Sequence, residues 1–353
     1  MPAAMASRGR GRPVKGRELL ANLTASSLTG MITSSLSHPM DTLKCRWQVA
    51  GKPWQGQHLT DFARALLREE GISAGLWRPG FLANVMSMAW CVGMRNGLYP
   101  TFRDGIGKLY TIAGGEPGKA GPSSMFCAGL LSGCSGYLVA SPLLQVKTQM
   151  QAEAGKLGLD GLYASGLHVG LAPTYSSTWQ ALASHSCGSL GGSLRSLWRG
   201  AGVIVARGAA LSASQLMAYD QSKTVLKERK VLRDGPMLHV ASSLIAKFAG
   251  IGGRKYWPER GPVARAAVVC TTCHMPFDVV LTMYQSAQSL GGAFARYGAT
   301  GPQACAALLI RESGPGILFR GWVPAFLRLA PVCVFSFGLY EQLRQLVGIG
   351  YLD

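Results

Sequence analysis

Charged and amide side chains recur in this chain at a fixed distance from three prolines. Pro39 is followed by Asp41, Lys44, Arg46 and Gln48; Pro142 by Leu144, Lys147, Gln149 and Gln151; Pro276 by Asp278, Leu281, Met283 and Gln285. A single Pro-x-Asp is ordinary turn chemistry. Three copies, each with Gln nine residues after Pro, make an internal repeat. Proline removes a helix hydrogen bond and bends the helix, so these residues can hold charges in place at a bend. Bond-making chemistry has no such support. No Ser/His/Asp arrangement, phosphate-cradling glycine loop or pair of carboxylates at catalytic spacing occurs. The nine cysteines and six histidines form neither a disulfide framework nor a ligand cluster, and Cys270-x-x-Cys273 lacks a second ligand pair. An enzyme, a metal site and a cofactor are therefore not expected.

The elements that must position these residues come in pairs. Downstream of the prolines stand Trp77-Arg78-Pro79-Gly80, Trp198-Arg199-Gly200 and Phe319-Arg320-Gly321. About twenty residues further on come Tyr99-Pro100-x-x-Arg103, Tyr219-Asp220-x-x-Lys223 and Tyr340-Glu341-x-x-Arg344, so each repeat holds two helices. On these residues the chain resembles the mitochondrial carrier family, whose repeats carry a Pro-x-acid-x-x-base-x-base motif on odd helices and aromatic-acid-x-x-base on even ones. The resemblance covers about residues 18 to 345. It implies an all-α membrane protein, a threefold pseudo-symmetric barrel of six transmembrane helices with short matrix helices. Such a protein is multi-pass in the mitochondrial inner membrane and acts as a monomer. The repeats would span 18–110, 120–230 and 236–347, behind a basic N-terminal arm at 1–17.

Composition agrees. Of 353 residues 48% are hydrophobic and only 15% charged, with a positive mean hydropathy, which is too apolar for a typical soluble basic protein. A helix that faces lipid on one side and an aqueous cavity on the other needs apolar residues over only part of its surface. Small residues would let backbones approach, with Gly129 and Gly133 four apart and Gly30 amid Ala and Ser residues. The net charge of +18 raises nucleic acid as a partner. Yet the basic residues are scattered through loops and helix ends, and no zinc-finger, helix-turn-helix or RNA-binding signature occurs, so membrane phospholipid is the better counter-charge. The Trp/Phe-Arg-x-Gly segments open the even helices, where free amides and the helix dipole favour a phosphate. The resemblance assigns Gly80, Gly200 and Gly321 to cardiolipin, and a plain helix start is the competing reading.

The resemblance also implies two gates. On the matrix side the acid of one odd helix pairs with the base of the next, Asp41 with Lys147 and Asp278 with Lys44, braced by Gln48, Gln151 and Gln285. The third pair is Leu144 with Leu281. Because both partners of that bridge are apolar, no lone charge is stranded at a partly desolvated constriction. An exposed bridge is worth ~0–1 kcal/mol and a buried one costs desolvation, so two bridges and an apolar contact need not be much weaker than three bridges. On the cytoplasmic side Asp220 pairs with Arg344 and Glu341 with Arg103, while Pro100 occupies the acid position that should face Lys223.

Thirteen residues before the acid positions of the even helices stand Ser87, Arg207 and Arg328, about halfway up the membrane at ~1.5 Å per residue. Family members bind substrate there. An arginine at mid-bilayer depth is costly unless it faces water or an anion. Arg95, about two turns beyond Ser87, resembles a cavity arginine of dicarboxylate and keto-acid carriers. Three arginines against little cavity acid favour a small anion, since planar guanidiniums grip carboxylates two oxygens at a time. Gly208, after Arg207, cannot act as the acid that would hold an ammonium group, and the adenine-nucleotide pattern is absent.

Within the family the nearest resemblance is to the oxaloacetate carrier and its animal relatives. It rests on Pro276-Phe277-Asp278-Val279-Val280-Leu281-Thr282, on Arg328-Leu329-Ala330-Pro331, and on Leu144 with Leu281. Met283 and Gly208 depart from it, where those relatives carry arginine and a polar residue. The expected function is movement of a small dicarboxylate or keto acid (an oxaloacetate-, malate-, malonate- or sulfate-like anion) by alternating access. The alternatives are a carrier-like membrane scaffold that transports nothing and a carrier for another small anionic metabolite.

Two segments stand apart. The span from about His239 to Pro276 exceeds one crossing by ~20 residues. The excess, near 251–270, holds Gly252-Gly253-Arg254-Lys255-Tyr256-Trp257-Pro258, which cannot lie in hydrocarbon as helix. It is either an extruded loop with the helix rebuilt from Val263 to Cys273 or, the slightly favoured reading, unspliced sequence. The N-terminal arm carries Arg8, Arg10, Arg12, Lys15 and Arg17 with no acid and no following apolar core. That pattern excludes a secretory signal and leaves a short organellar presequence or a basic arm.

Overall fold

The computed structural model describes residues 16–50, 57–112, 122–186, 194–209, 262–328, 339 and 342–343. Regular structure among them is helical apart from one isolated bridge between Leu157 and Tyr163. In chain order the α-helices longer than five residues are α1 (Gly16–Val49), α2 (Leu59–Glu69), α3 (Phe81–Ile112), α4 (Pro122–Ala152), α5 (Thr178–Ser186), α6 (201–209), α7 (Pro262–Leu290), α8 (Pro302–Ser313) and α9 (322–328). Helices α1, α4 and α7 are the odd helices of the three repeats and carry Pro39, Pro142 and Pro276 in their interiors. Helix α3 is the even helix of the first repeat, and α6 and α9 open those of the second and third. The short α2, α5 and α8 connect odd to even.

Among the described residues only Phe126–Ala152 is long and apolar enough to cross a membrane by composition alone. The reason is visible in α1, where Thr29, Thr33, Ser34 and Ser37 are buried. Their hydroxyls bond to carbonyls one turn back, Thr29 Oγ1 to Ala25 O at 2.8 Å and Thr33 Oγ1 to Thr29 O at 2.7 Å. Back-bonding of this kind hides polar side chains against their own helix, which a hydropathy sum cannot register.

Helix α3 lies along both α1 and α4, and α7 touches α1 and α4. Two glycines bring these backbones together, because a Cβ on Gly30 would stand 2.7 Å from Met88 O and one on Gly136 would stand 2.7 Å from Cys91 O. Gly129 and Gly133 do not serve this purpose: the nearest atom to a Cβ at Gly129 is 4.0 Å away, and Gly133 faces open space. The α3–α4 contact runs through the next turn instead.

The turns into the even helices repeat in geometry as well as in sequence. Gly80, Gly200 and Gly321 have φ of 63°, 78° and 88°. Each also sits under the gate segment of the next odd helix, where a Cβ would meet Lys147 O at 3.1 Å, Leu281 at 3.3 Å and Gln48 at 3.2 Å. Left-handed backbone and close approach are two separate reasons for glycine at these positions.

Between α4 and α5, residues 153–177 form a loop that reaches both neighbouring repeats. Ser165 Oγ donates to Glu70 Oε1 of the first repeat at 2.6 Å, and His168 Nε2 donates to Leu290 O of the third at 3.1 Å. Glu153 Oε1 ties the loop to itself by accepting from Thr174 N and Oγ1, each at 2.7 Å. No sequence motif announced this loop.

Helix α7 begins at Pro262 and runs through Pro276 without a break. The stretch from Val263 to Cys273 is therefore helical, and 251–261 lie outside the described residues.

Candidate functional site

Where α1, α4 and α7 converge, two carboxylates hold four cations. Lys147 Nζ donates to Asp41 Oδ2 at 3.1 Å, and Lys44 Nζ lies 2.5 Å from Asp278 Oδ2. The remaining oxygen of each aspartate takes an arginine from an even helix: Arg328 Nη1 is 3.1 Å from Asp41 Oδ1, and Arg207 Nη1 is 3.1 Å from Asp278 Oδ1. The aspartate side chains are 6% and 3% exposed and the arginines 17%, so these pairs lie where an unpaired charge is expensive. The four cations and two carboxylates leave a surplus of two positive charges. The family resemblance implied the lysine partners. That Arg207 and Arg328 reach down to the same aspartates did not follow from it.

The third sector carries none of this. Arg207 stands above Asp278, and Arg328 above Asp41, as Ser87 stands in relation to Leu144 by the threefold repeat. So the positions of acid, base and arginine are all uncharged there, as Leu144, Leu281 and Ser87. Leu281 packs with Cys91, Tyr137, Ala140 and Ile204, with Leu144 at the edge. Ser87 was expected to face substrate, but its hydroxyl donates to Asn84 O at 2.8 Å on its own helix and it is fully buried. Its neighbour Met88 lines the cavity above the aspartates instead.

The three glutamines differ from their expected common role. Only Gln48 braces a bridge directly, its Nε2 donating to Asp278 Oδ2 at 3.0 Å and to Arg320 O at 3.3 Å. Gln151 Nε2 donates to Thr42 Oγ1 at 3.0 Å, and Gln285 Nε2 to Arg199 O at 3.2 Å. One residue before the first and third glutamines sits an aromatic ring that covers an arginine from the preceding turn. Arg320 lies 4.6 Å from the Trp47 ring centre and Arg199 lies 4.6 Å from that of Tyr284. In the other sector Met150 takes the place of the ring and Arg78 is exposed. The recurring aromatic-Gln pair was the signal that could have revealed this contact.

The other predicted site residues are placed as follows. Arg95 Nε donates to Asn96 Oδ1 at 3.4 Å, and Arg95 does not line the cavity formed at the gate. Gly208 is a packing surface, since a Cβ there would lie 2.7 Å from the Tyr137 ring. Arg103 is exposed and reaches Asp104 at 3.4 Å. Its expected partner Glu341, with Asp220, Lys223 and Arg344, lies outside the described residues. Among the described residues no group of His, Cys, Asp and Glu could hold a metal ion.

Three odd helices with an interior proline, closed by interlocked ion pairs in two sectors and by an apolar contact in the third, make a gated pathway around a charged cavity. The chain belongs to the mitochondrial carrier family: the profile described as mitochondrial carrier protein matches residues 15–109, 118–230 and 264–350. The first two matches begin twenty-four residues before Pro39 and Pro142, the third only twelve before Pro276, and 231–263 are unmatched. Similar curated proteins include mitochondrial brown fat uncoupling protein 1 of Ochotona dauurica, 28% identical over 346 residues, covering 94% of this chain and 92% of the relative. That of Rattus norvegicus is 27% identical over 346 residues, covering 95% and 93%. That of Bos taurus is 27% identical over 341 residues, covering 93% and 92%. The chain is thus a multi-pass transporter of the mitochondrial inner membrane and not an enzyme.

Proposed function

We propose that the chain moves a small dicarboxylate, keto acid or sulfate-like anion by alternating access, acting as a monomer. The observation that carries this reading is the state of the two cavity arginines. Each spends Nη1 on an aspartate and keeps a buried Nε with no hydrogen-bond partner. An anion that accepts from the free edge of a guanidinium supplies what that edge lacks. The matrix gate is formed by Asp41 with Lys147 and Lys44 with Asp278, closed on the third side by Leu144 and Leu281. Asp220 with Arg344 and Glu341 with Arg103 form its cytoplasmic counterpart, and cardiolipin phosphate docks at the turns of Gly80, Gly200 and Gly321. The resemblance of 276–282 and 328–331 to the oxaloacetate branch puts oxaloacetate, malate and malonate first among substrates.

The names of the relatives support a second reading, uncoupling, because the alignment spans more than nine-tenths of each protein. Purified chain in liposomes separates the two. Uptake of labelled malate, malonate or sulfate that depends on internal anion supports the first. Dissipation of a pH gradient without any such uptake supports the second. Neither activity would leave a carrier-like scaffold.

A further inference from the structure

We propose that the cavity holds a dicarboxylate by an alkyl branch as well as by its charges. Met88, Leu144, Ile204 and Leu281 form an apolar wall beside Arg207, and an anion with a short alkyl group next to its carboxylates is preferred over one with a hydroxyl or keto oxygen there. The inference rests on the reading of the chain as an anion carrier and names which anions that site favours.

Four helices build the wall, one residue from each of α3, α4, α6 and α7, and all four residues line the cavity above the aspartates. Ile204 and Leu281 are its backing, 1% and 6% exposed and packed in one cluster with Leu144 at the edge. Met88 and Leu144 are only half-buried and present the free apolar surface. Sequence spacing ties this wall to one of the two arginines. Ile204 precedes Arg207 by three residues on α6, and Leu281 follows Asp278 by three on α7, so each apolar side chain shares a helix face with a member of the Arg207–Asp278 pair. A carboxylate that accepts from the free edge of Arg207 therefore has an apolar surface next to it. Methionine suits the outermost position, because its unbranched thioether adapts to groups of different shape.

The polar side chains around the wall are already engaged. Thr148 Oγ1 donates to Leu144 O and Thr282 Oγ1 to Asp278 O, each at 2.9 Å, and the Cys45 thiol donates to Thr148 O at 3.7 Å. Ser87, next to Met88, gives its hydrogen to Asn84 O. Gln285 keeps an unpartnered Oε1, but it sits one helical turn further along α7, past Leu281. A keto oxygen against this wall meets no free hydroxyl donor, and a hydroxyl there leaves water without a matching partner, which costs binding. An alkyl group loses nothing on leaving water and gains the burial of the wall, about fourfold in affinity for each methylene covered. The charge part of the fit is separate: four cations against two carboxylates leave room for two negative groups, whatever the branch between them.

The test is competition against uptake of labelled malonate by the full chain in liposomes. Methylmalonate should compete about fourfold better than malonate and ethylmalonate better again, while hydroxymalonate, close to methylmalonate in size, should compete no better than malonate. Met88→Gln places an amide on the wall and should shift the ratio of ethylmalonate to hydroxymalonate affinity at least fivefold toward hydroxymalonate, whereas Met88→Leu should keep the wild-type ratio. Because the ratio is taken within each variant, a general loss of stability or expression does not move it. The wild-type series stands alone if a variant fails to fold. Hydroxymalonate competing as well as ethylmalonate in wild-type protein, or one ratio shared by wild type, Met88→Gln and Met88→Leu, would refute the apolar wall while leaving malonate transport intact. If malonate itself is neither taken up nor bound, the anion-carrier reading falls, and this inference with it.

Discussion

Around the gate, the sectors of Asp41 and Asp278 each interlock three charged residues, whereas the sector of Leu144 holds an aliphatic cluster and a serine turned to its own backbone. The two solutions close the same kind of constriction by opposite physics. An ion cluster holds by pairing and has to be complete, because one missing member strands a buried charge. An aliphatic seam holds by exclusion of water and tolerates no charge at all. The difference teaches that acid, base and arginine stand or fall as a group of three, although they are spread over α3 or its equivalents and two odd helices.

The largest effect should come from forcing one solution on the other's place. Leu144→Asp alone puts a carboxylate among Leu281, Tyr137 and Ile204, and should cost about 3 kcal/mol of closed-state stability. The triple change with Leu281→Lys and Ser87→Arg should recover most of it, as read by thermal unfolding in detergent and by exchange in liposomes. A triple variant no better than the single would show that the sectors are not interchangeable.

A charge swap sharpens the comparison next. Asp41→Lys with Lys147→Asp preserves the simple pair, but the new lysine faces Arg328, which already contacts position 41 at 3.1 Å. Transport should stay as low as in either single change. Adding Arg328→Gln should restore closed-state stability without restoring anion uptake. Recovery by the double swap alone would mean that the arginine is not part of the cluster.

Smaller effects lie in the supports. Trp47→Leu removes the ring over Arg320 and should cost about 0.5–1 kcal/mol, while the equivalent change at Met150, which carries no ring, should cost none of this interaction. Unfolding temperatures of the two variants decide it. The neutral sector also has a neutral polar backing, since the Gln145 amide accepts from His185 Nε2 of α5 at 3.3 Å. Burial, and then the nearby Arg199 charge, lower the proton affinity of His185 below that of a free histidine. A histidine kept neutral in the fold contributes stability that is present above the unfolded value of ~6.5 and is lost as pH falls below it. Between pH 7.5 and about 5, wild-type protein should therefore lose more stability than His185→Gln. Parallel pH profiles would contradict this.

Much of the architecture could be read from residues alone because repeat spacing survives any amount of side-chain change. The prolines marked the three odd helices, and the family resemblance carried by the repeat implied that the acid of one faces the base of the next. What spacing could not convey was direction. Ser87 stands at the same level as Arg207 and Arg328, but a serine can satisfy itself on its own helix and an arginine cannot, so equal position did not mean equal exposure. Gly208 looked like a missing polar ligand until the Tyr137 ring appeared in the space a side chain would need. Gln151 and Gln285 share the spacing of Gln48, yet their partners are a hydroxyl and a carbonyl brought in by other elements. Contacts set by tertiary neighbours carry no local pattern.

The loop at 153–177 bears on the rhythm of the transport cycle. It belongs to the second repeat and is bonded to Glu70 in the first and to the end of α7 in the third. Any motion that spreads the matrix ends of the repeats has to let go of at least one of these attachments, whichever way the gate charges are paired. On the alternating-access reading proposed above, opening at this end of the repeats is opposed by a second restraint, mechanically separate from the gate charges, and the two halves of the cycle are expected to run at unequal speeds.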